Sequence, residues 1–358
     1  MPRIADPAGT VIYGGVDTHA DVHVAAVVSQ TGKVLGTESF PAVTGGFAAL
    51  LEWLRGFGEV AVAGVEGTGS YGAGLARYLA AAGVRVAEVN RPDRQRRRRH
   101  GKSDPVDAVA AAIAALNGDQ TGTPKAGDGA AESIRGLKVA RAGAVKARTQ
   151  AANQLRDLIV TAPAALREQL QPLKTGARVT TAAAFTPGDL ADPAEGMKAA
   201  MASVARRWRD ADAEITRIDT QLGALLTRAA PAGFLDRAGV GTQSAAALIA
   251  TAGDNPGRIR REASFAALAG TSPVDCSSGK QERHRLNRGG DRQANSAIWR
   301  IVQTRIRTDP RTQAYVEKRT KDGKTRKEII RSLMRYVTRE VYKNLIRPGH
   351  SPANAAAA

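Results

Sequence analysis

Apolar residues recur with two different periods along this chain, and the change of period divides it. Up to Val89 they come in short runs: Val11–Val16 (VIYGGV), Val22–Ser29, Lys33–Phe40, Val60–Val65 and Val84–Val89 read as strands. Between the runs, Thr44–Gly56 carries Phe47, Leu50, Leu51 and Leu54 on one helical face, and Tyr71–Ala82 reads as a second helix. Short turns join the first three strands, which predicts an antiparallel meander. Lys102–Ala108 (KSDPVDA) leads into a further Ala-rich helix expected to run to about Leu116, and Gly118–Gly129, rich in Gly, Thr, Asp and Pro, reads as a linker.

Beyond the linker the period is helical. From Ala131 to Val160, Ile134, Leu137, Ala140, Ala144, Val145, Ala151, Ala152, Leu155, Leu158 and Ile159 share one face, with Arg and Lys opposite. From about Met197 to Arg228, Val204, Trp208, Ala211, Ile215, Ile218, Leu222 and Leu225 alternate steps of four and three, a heptad seam. The segment between, Thr161–Glu195, carries prolines and glycines and is expected to connect the two helices. A helical hairpin and an intermolecular coiled coil both satisfy this pattern. In the last third, Gly239-Val240-Gly241 precedes a small-residue helix and another helix begins near Arg292. A glycine turn of that kind offers backbone N–H groups to a phosphate, or simply turns the chain.

The order βββ-αβ-αβ-α is that of the ribonuclease H-like α/β fold. The expected organisation is an α/β ribonuclease H-like domain over 1–120, an α-helical region over 131–230, hairpin or coiled coil, and a mostly α C-terminal domain over 231–348. Gly67, Gly69 and Gly72 also spell G-x-G-x-x-G after a strand, with Glu88 ending the next one, which approaches a dinucleotide-binding fingerprint. That fingerprint usually opens the first βαβ unit, whereas here a meander comes first.

Four acids change the picture from fold to chemistry. Asp17 and Glu66 stand at strand ends, and Asp104 and Asp107 stand in the first turn of the helix that starts at KSDPVDA. Pro105 suits that turn, Ser103 or Asp104 can cap it, and the i, i+3 spacing puts both aspartates on one face. Singly, each acid is an ordinary turn, cap or first-turn residue. Together, four carboxylates repel one another unless divalent cations bind, and Mg²⁺ takes oxygen ligands that leave room for water and phosphate. Two such ions about 4 Å apart stabilise the attacking and leaving oxygens of a phosphodiester.

Charge points to the same partner. With 52 Lys+Arg against 34 Asp+Glu, the formal charge is +18, the balance of a protein that binds polyanions, nucleic acid above all. The densest basic run is Arg91–Lys102, where Arg94, Arg96, Arg97, Arg98, Arg99 and Lys102 are candidates to hold a phosphate backbone beside the paired aspartates. The single cysteine, Cys276, excludes an internal disulfide and a Cys-rich zinc site, so a reducing cytoplasm is the expected compartment. No apolar stretch approaches a membrane span or a signal h-region, and a soluble protein is expected. Asp275-Cys276-Ser277-Ser278-Gly279-Lys280, followed by Arg283, His284, Arg285 and Arg288, puts two serines in a polar turn. A serine nucleophile needs a base or a metal, and none adjoins these in sequence.

YGGVDTHADVHVAAVV, GVEGTGSYG, KSDPVDA, AGVGTQSAAALIA, FAALAGTSPVDCSSGK and HRLNRGGDRQANSAIWRIV, in that order, resemble the DEDD transposases of the IS one-ten insertion-sequence group, relatives of the Piv-type DNA invertases. The resemblance spans nearly the whole chain; the central helices match in character only. It implies a RuvC-like N-terminal domain, a coiled-coil middle and a C-terminal transposase domain with a catalytic serine. It implies DNA recombination by a homo-oligomer, dimer or tetramer, with a structured guide RNA that pairs with donor and target DNA. Carried over by motif, Asp17, Glu66, Asp104 and Asp107 would hold Mg²⁺. Ser278 or Ser277 would attack DNA, and Lys280, Arg283, Arg285 and Arg288 would hold nucleic acid nearby. The contrasting expectation is a RuvC-like, Mg²⁺-dependent nuclease that hydrolyses DNA.

Overall fold

The computed structural model describes residues 10–89, 103–118, 121–279, 284–285, 287 and 289–348. The chain forms two compact units, Met1–Gly129 with Gly253–Arg258, and Ala130–Ala252 with Ile259–Ala358.

The first unit is built on β1 (Val11–Thr18), β2 (Val22–Ser29), β3 (Val34–Pro41), β4 (Glu59–Glu66), β5 (Val86–Val89) and β6 (Thr121–Gly122). They form one sheet in the order β3-β2-β1-β4-β5-β6. The meander is antiparallel, β4 and β5 run parallel to β1, and β6 returns antiparallel beside β5. A dinucleotide fold has the same spatial order with every strand parallel and joined by crossovers, so the antiparallel β1-β2-β3 ribbon overturns that reading of Gly67–Gly72. The mixed sheet flanked by helices is consistent with the ribonuclease H-like fold. The stretch expected to be only a linker holds β6, a strand too short to show a period.

Alternation along the strands sorts the two faces. Ile12, Val16, Ala25, Val27, Ala63 and Val65 pack beneath α1 (Thr44–Arg55) and α2 (Ala73–Ala81), where Leu50, Leu54, Leu75 and Leu79 are wholly buried. Each of these leucines contributes roughly 1.5–3 kcal/mol by leaving water. The opposite face carries α3 (Asp104–Asn117), whose Ala108, Ala111, Ala112 and Ala115 form its buried stripe. α3 lies unusually close because the sheet offers glycines there. A Cβ on Gly15 would fall 2.1 Å from the Ala112 nitrogen and 2.2 Å from the Ala108 oxygen, and one on Gly64 would fall 2.5 Å from the Ala111 oxygen.

In the second unit, α4 (Ala130–Thr161) and α7 (Pro193–Ala229) pack antiparallel on their apolar seams. Arg141 grips Asp219 with two bonds of 2.6 and 2.9 Å, and Arg148 meets Asp212 at 2.5 Å. The pairs lie seven residues apart on both helices, so they fix register along the seam. Between the two helices the chain is not plain connector: α5 (Ala164–Leu170) and α6 (Thr175–Ala183) close one end through Leu166, Leu170 and Val179 against Leu155, Ile159 and Met201. At the other end Ile134, Leu222 and Leu226 join the core of α8 (Thr242–Ala252), α9 (Glu262–Leu268), α10 (Arg292–Thr308), α11 (Pro310–Lys321) and α12 (Arg326–Val341). No helix among the described residues is long and apolar enough to cross a membrane.

Gly15→Ala is expected to destabilise the protein by ~3 kcal/mol, since the new methyl meets helix backbone that has no rotamer to yield. Gly69→Ala, with nothing within 4 Å of its Cβ, is expected to stay within about 0.5 kcal/mol. Urea denaturation of both variants checks the contrast.

Candidate active site

The alternation that buries Gly15 and Gly64 under α3 carries two residues further to Asp17 and Glu66. β1 and β4 are parallel neighbours paired through Gly15↔Gly64 and Val16↔Val65, which brings the two acids side by side at the strand ends. The Thr18 hydroxyl donates to the Glu66 carbonyl at 3.0 Å and ties the ends together. α3 supplies the rest. Asp104 and Asp107 are the first-turn continuation of its alanine stripe, and Pro105 occupies a position where no N–H is needed. Ser103 is the N-cap, without a side-chain bond to the helix.

Asp17 and Asp107 are buried, at 6% and 4% exposure, while Glu66 and Asp104 are partly open. Burial pushes the Asp17 carboxyl above the usual carboxylate range, the His19 contact pulls it down, and the Asp107 and Asp104 charges push it up again. The net direction is upward. Its ionised form therefore opposes folding, and the stability this group contributes when protonated is lost as pH rises through the raised pKa.

His19 is the member that sequence reading missed. Its Nε2 lies 3.1 Å from Asp17 Oδ2 and 3.5 Å from Asp104 Oδ1. Donor atoms of Asp17, His19 and Asp104 all fall within 4.8 Å of one another, a spacing that can hold a metal ion. The signal was present as Asp-x-His at a strand end, an i, i+2 spacing that can return a side chain to the same face. His23 is different. It is fully buried on the other face, stacked on Phe47 at 5.6 Å, and burial lowers its pKa, so it is a core residue.

The donor set fits a hard divalent cation. It is rich in carboxylate oxygen, two of its members are taken out of water, and their mutual repulsion is what bound positive charge relieves. The glycines after β4 shape the approach. Gly67 has φ +61°, and a Cβ on Gly72 would lie 2.5 Å from the Glu66 carbonyl, so the turn folds tightly over the end of β4.

The paired serines lie in the second unit, between β7 (Val274–Asp275) and β8 (His284–Arg285), which form a small antiparallel ribbon. Both are exposed. Asp275 Oδ1 accepts from the Ser277 backbone N–H at 2.8 Å and from its hydroxyl at 2.5 Å, and these bonds hold the Asp275 carboxyl below the usual range. Ser277 is thereby built into the turn. The Ser278 hydroxyl makes no such bond among the described residues, and Gly279 after it takes φ +56°. A cavity of about 630 Å³ adjoins this turn, lined by Cys276, Arg285, Arg319, Lys324 and Arg331 among others. Arg285 is thus the predicted nucleic-acid contact that reaches a described cavity. Lys280, Arg283 and Arg288, like Arg94, Arg96, Arg97, Arg98, Arg99 and Lys102, lie outside the described residues. Gly239 takes φ +78° before α8, with Ile301 backbone 3.0 Å from where its Cβ would stand, so that turn is shaped by packing on α10.

Residues 14–162 match the family model for DEDD transposases of the IS110 group, described as a transposase. Residues 234–317 match the model described as transposase, IS116/IS110/IS902 family. The first match spans all four acids and the second spans both serines. No curated protein matches the chain.

A divalent cation should raise the thermal midpoint of the wild type, and Asp17→Asn or Asp104→Asn should lose that rise. In EDTA, Asp17→Asn is expected to be at least as stable as the wild type at neutral pH, because it removes a charge that burial disfavours. Differential scanning calorimetry with and without MnCl₂ reads both effects.

Proposed function

The chain belongs to the IS110 family of transposases and acts on DNA, and we propose that it cuts and rejoins strands through a serine ester assisted by Mg²⁺. The observation that supports the metal half is the cluster of Asp17, His19 and Asp104, whose donor atoms lie within 4.8 Å of one another; Asp107, buried one turn along the same helix and close enough for its charge to act on Asp17, and Glu66, at the end of the strand beside β1, are proposed to complete it. These residues would hold Mg²⁺, which supplies positive charge to a phosphodiester oxygen when bound.

The chain's own part in the chemistry is nucleophilic attack. The Ser278 Oγ attacks phosphorus, forming an O–P bond as the bond to one sugar oxygen breaks; the hydroxyl proton leaves and the departing sugar oxygen gains one. The phosphoserine keeps the energy of the original ester, so attack by a sugar hydroxyl reverses the step and rejoins a strand without ATP. Ser278 is favoured over Ser277 because Ser277 is already spent on Asp275, a carboxylate held at low pKa and so a poor base. Arg285, together with Lys280, Arg283 and Arg288, would hold flanking phosphates, and Arg94 to Lys102 would do the same beside the acids. The reading includes a structured guide RNA and a homo-oligomer working in the cytoplasm; both rest on the resemblance of the motifs.

Purified protein, the RNA encoded beside its element and labelled junction DNA should yield, with Mg²⁺, a covalent protein–DNA species on a denaturing gel. The species should persist in Ser277→Ala and vanish in Ser278→Ala and Glu66→Ala. Cut DNA without adduct in both serine variants, but not in Glu66→Ala, would replace the serine ester with hydrolysis.

A further inference from the structure

A second hollow in the C-terminal unit has a chemistry of its own. It measures about 410 Å³ and is lined by Trp299, Arg300, Gln303, Thr304, Ile306 and Arg307 of α10 and by Arg326 of α12. No acid lines it. Trp299, Gln303 and Arg307 follow one another at steps of four, so they form a single stripe along the helix. Trp299 is 46% exposed, whereas Trp53 packs against Phe40 and Phe57 and Trp208 lies under Arg148. An indole left in water buries little of the large apolar area that makes tryptophan useful to a fold.

The cations are also placed for something other than stability. Among the described residues, Arg300, Arg307 and Arg326 make no ion pair with a carboxylate. Arg326 opens α12, where the helix dipole favours an acid instead. Lys138 of α4 feels the Arg300 and Arg141 charges, which, after burial, lower its pKa, although Asp291 nearby acts in the opposite sense. Positive charge has been concentrated here against its own repulsion. Gln303 adds a donor: its Nε2 is out of solvent and has no hydrogen-bond acceptor among the described residues.

From the exposed indole, three guanidinium groups without a carboxylate and an unused amide donor, we infer that this hollow binds an unpaired nucleotide of a nucleic-acid strand. Its base stacks on Trp299 and its phosphates lie against Arg300, Arg307 and Arg326. Stacking accepts any base, and arginines in an acid-free groove track a backbone, which is how single strands are held without sequence readout. A duplex keeps its bases stacked inside and presents no free face to the indole. The site is independent of the serine reading, because none of its residues belongs to the acid cluster or to the serine turn.

The test uses the full-length protein with oligothymidylate, oligouridylate and a DNA duplex of equal length. Both single strands are expected to quench tryptophan fluorescence, and the quench should disappear in Trp299→Phe while affinity, read by anisotropy of a labelled strand, stays near wild type. Trp299→Ala should weaken single-strand binding roughly tenfold and leave duplex binding unchanged. Arg300→Ala with Arg307→Ala should flatten the salt dependence of single-strand affinity by about 0.7 in log–log slope for each phosphate that is no longer neutralised. Trp299-dependent binding of one oligomer but not the other would identify the strand as DNA or RNA and uphold the site. Single-strand affinity and quenching that are both unchanged in Trp299→Ala would overturn it, as would equal losses on single strand and duplex. Unchanged thermal midpoints show that the variants fold.

Discussion

Everything at the acid cluster depends on how closely one helix can approach one sheet. Gly15 and Gly64 face the alanine stripe of α3, and the contact is backbone against backbone, with no space for a single added carbon on either strand. The same alternation that aims these glycines at α3 aims Asp17 and Glu66 at its first turn, two residues on. The same helical period that lines up Ala108, Ala111, Ala112 and Ala115 brings Asp104 and Asp107 to that end of the stripe. The closeness of sheet and helix thus limits how far the first-turn acids can stand from the strand-end acids. Packing chemistry and site chemistry are written in one register, and the antiparallel meander on the far side of β1 keeps that strand central and fixed.

The second unit answers a different problem with different means. Two long helices with few aromatic anchors gain register from Arg–Asp pairs repeated every seven residues, one of them bidentate. These pairs are partly exposed, so their worth lies in selecting one alignment of the seam more than in raw stability. The serine turn is likewise specified by a carboxylate, since Asp275 spends its acceptor capacity on the backbone and hydroxyl of Ser277. Along α10, Arg305 pairs with Glu340, whereas Arg300 and Arg307 make no ion pair among the described residues, in keeping with a chain of net charge +18 whose partner brings negative charge.

Much of this was legible in the sequence, for identifiable reasons. Short apolar runs gave β1 to β5 to within two residues at each end, and Asp-Pro at a helix start fixed the first turn of α3, because such signals are local. The four acids could be grouped because strand ends and a helix start are the places a site of this topology draws on. His19 escaped because it lies one residue beyond β1, where the i, i+2 spacing from Asp17 is only a weak signal, and the fold is what brings it between Asp17 and Asp104. The difference between Ser277 and Ser278 escaped because a two-residue hydrogen bond to Asp275 leaves no trace in composition. The helices between α4 and α7 escaped because they are short, and their prolines and glycines mark their ends rather than their absence. Arg91–Lys102, the loudest feature of the sequence, lies outside the described residues.

The proposed role of Asp17, Glu66, Asp104 and Asp107 is to hold a divalent cation for DNA strand transfer. Crystals of the protein grown with MnCl₂, with anomalous diffraction collected above the manganese edge, test it most directly. An anomalous peak is expected at about 2.1 Å from carboxylate oxygens of this cluster, lost in Asp17→Asn. A map with no peak there at saturating Mn²⁺ would show that the cluster is not a metal site.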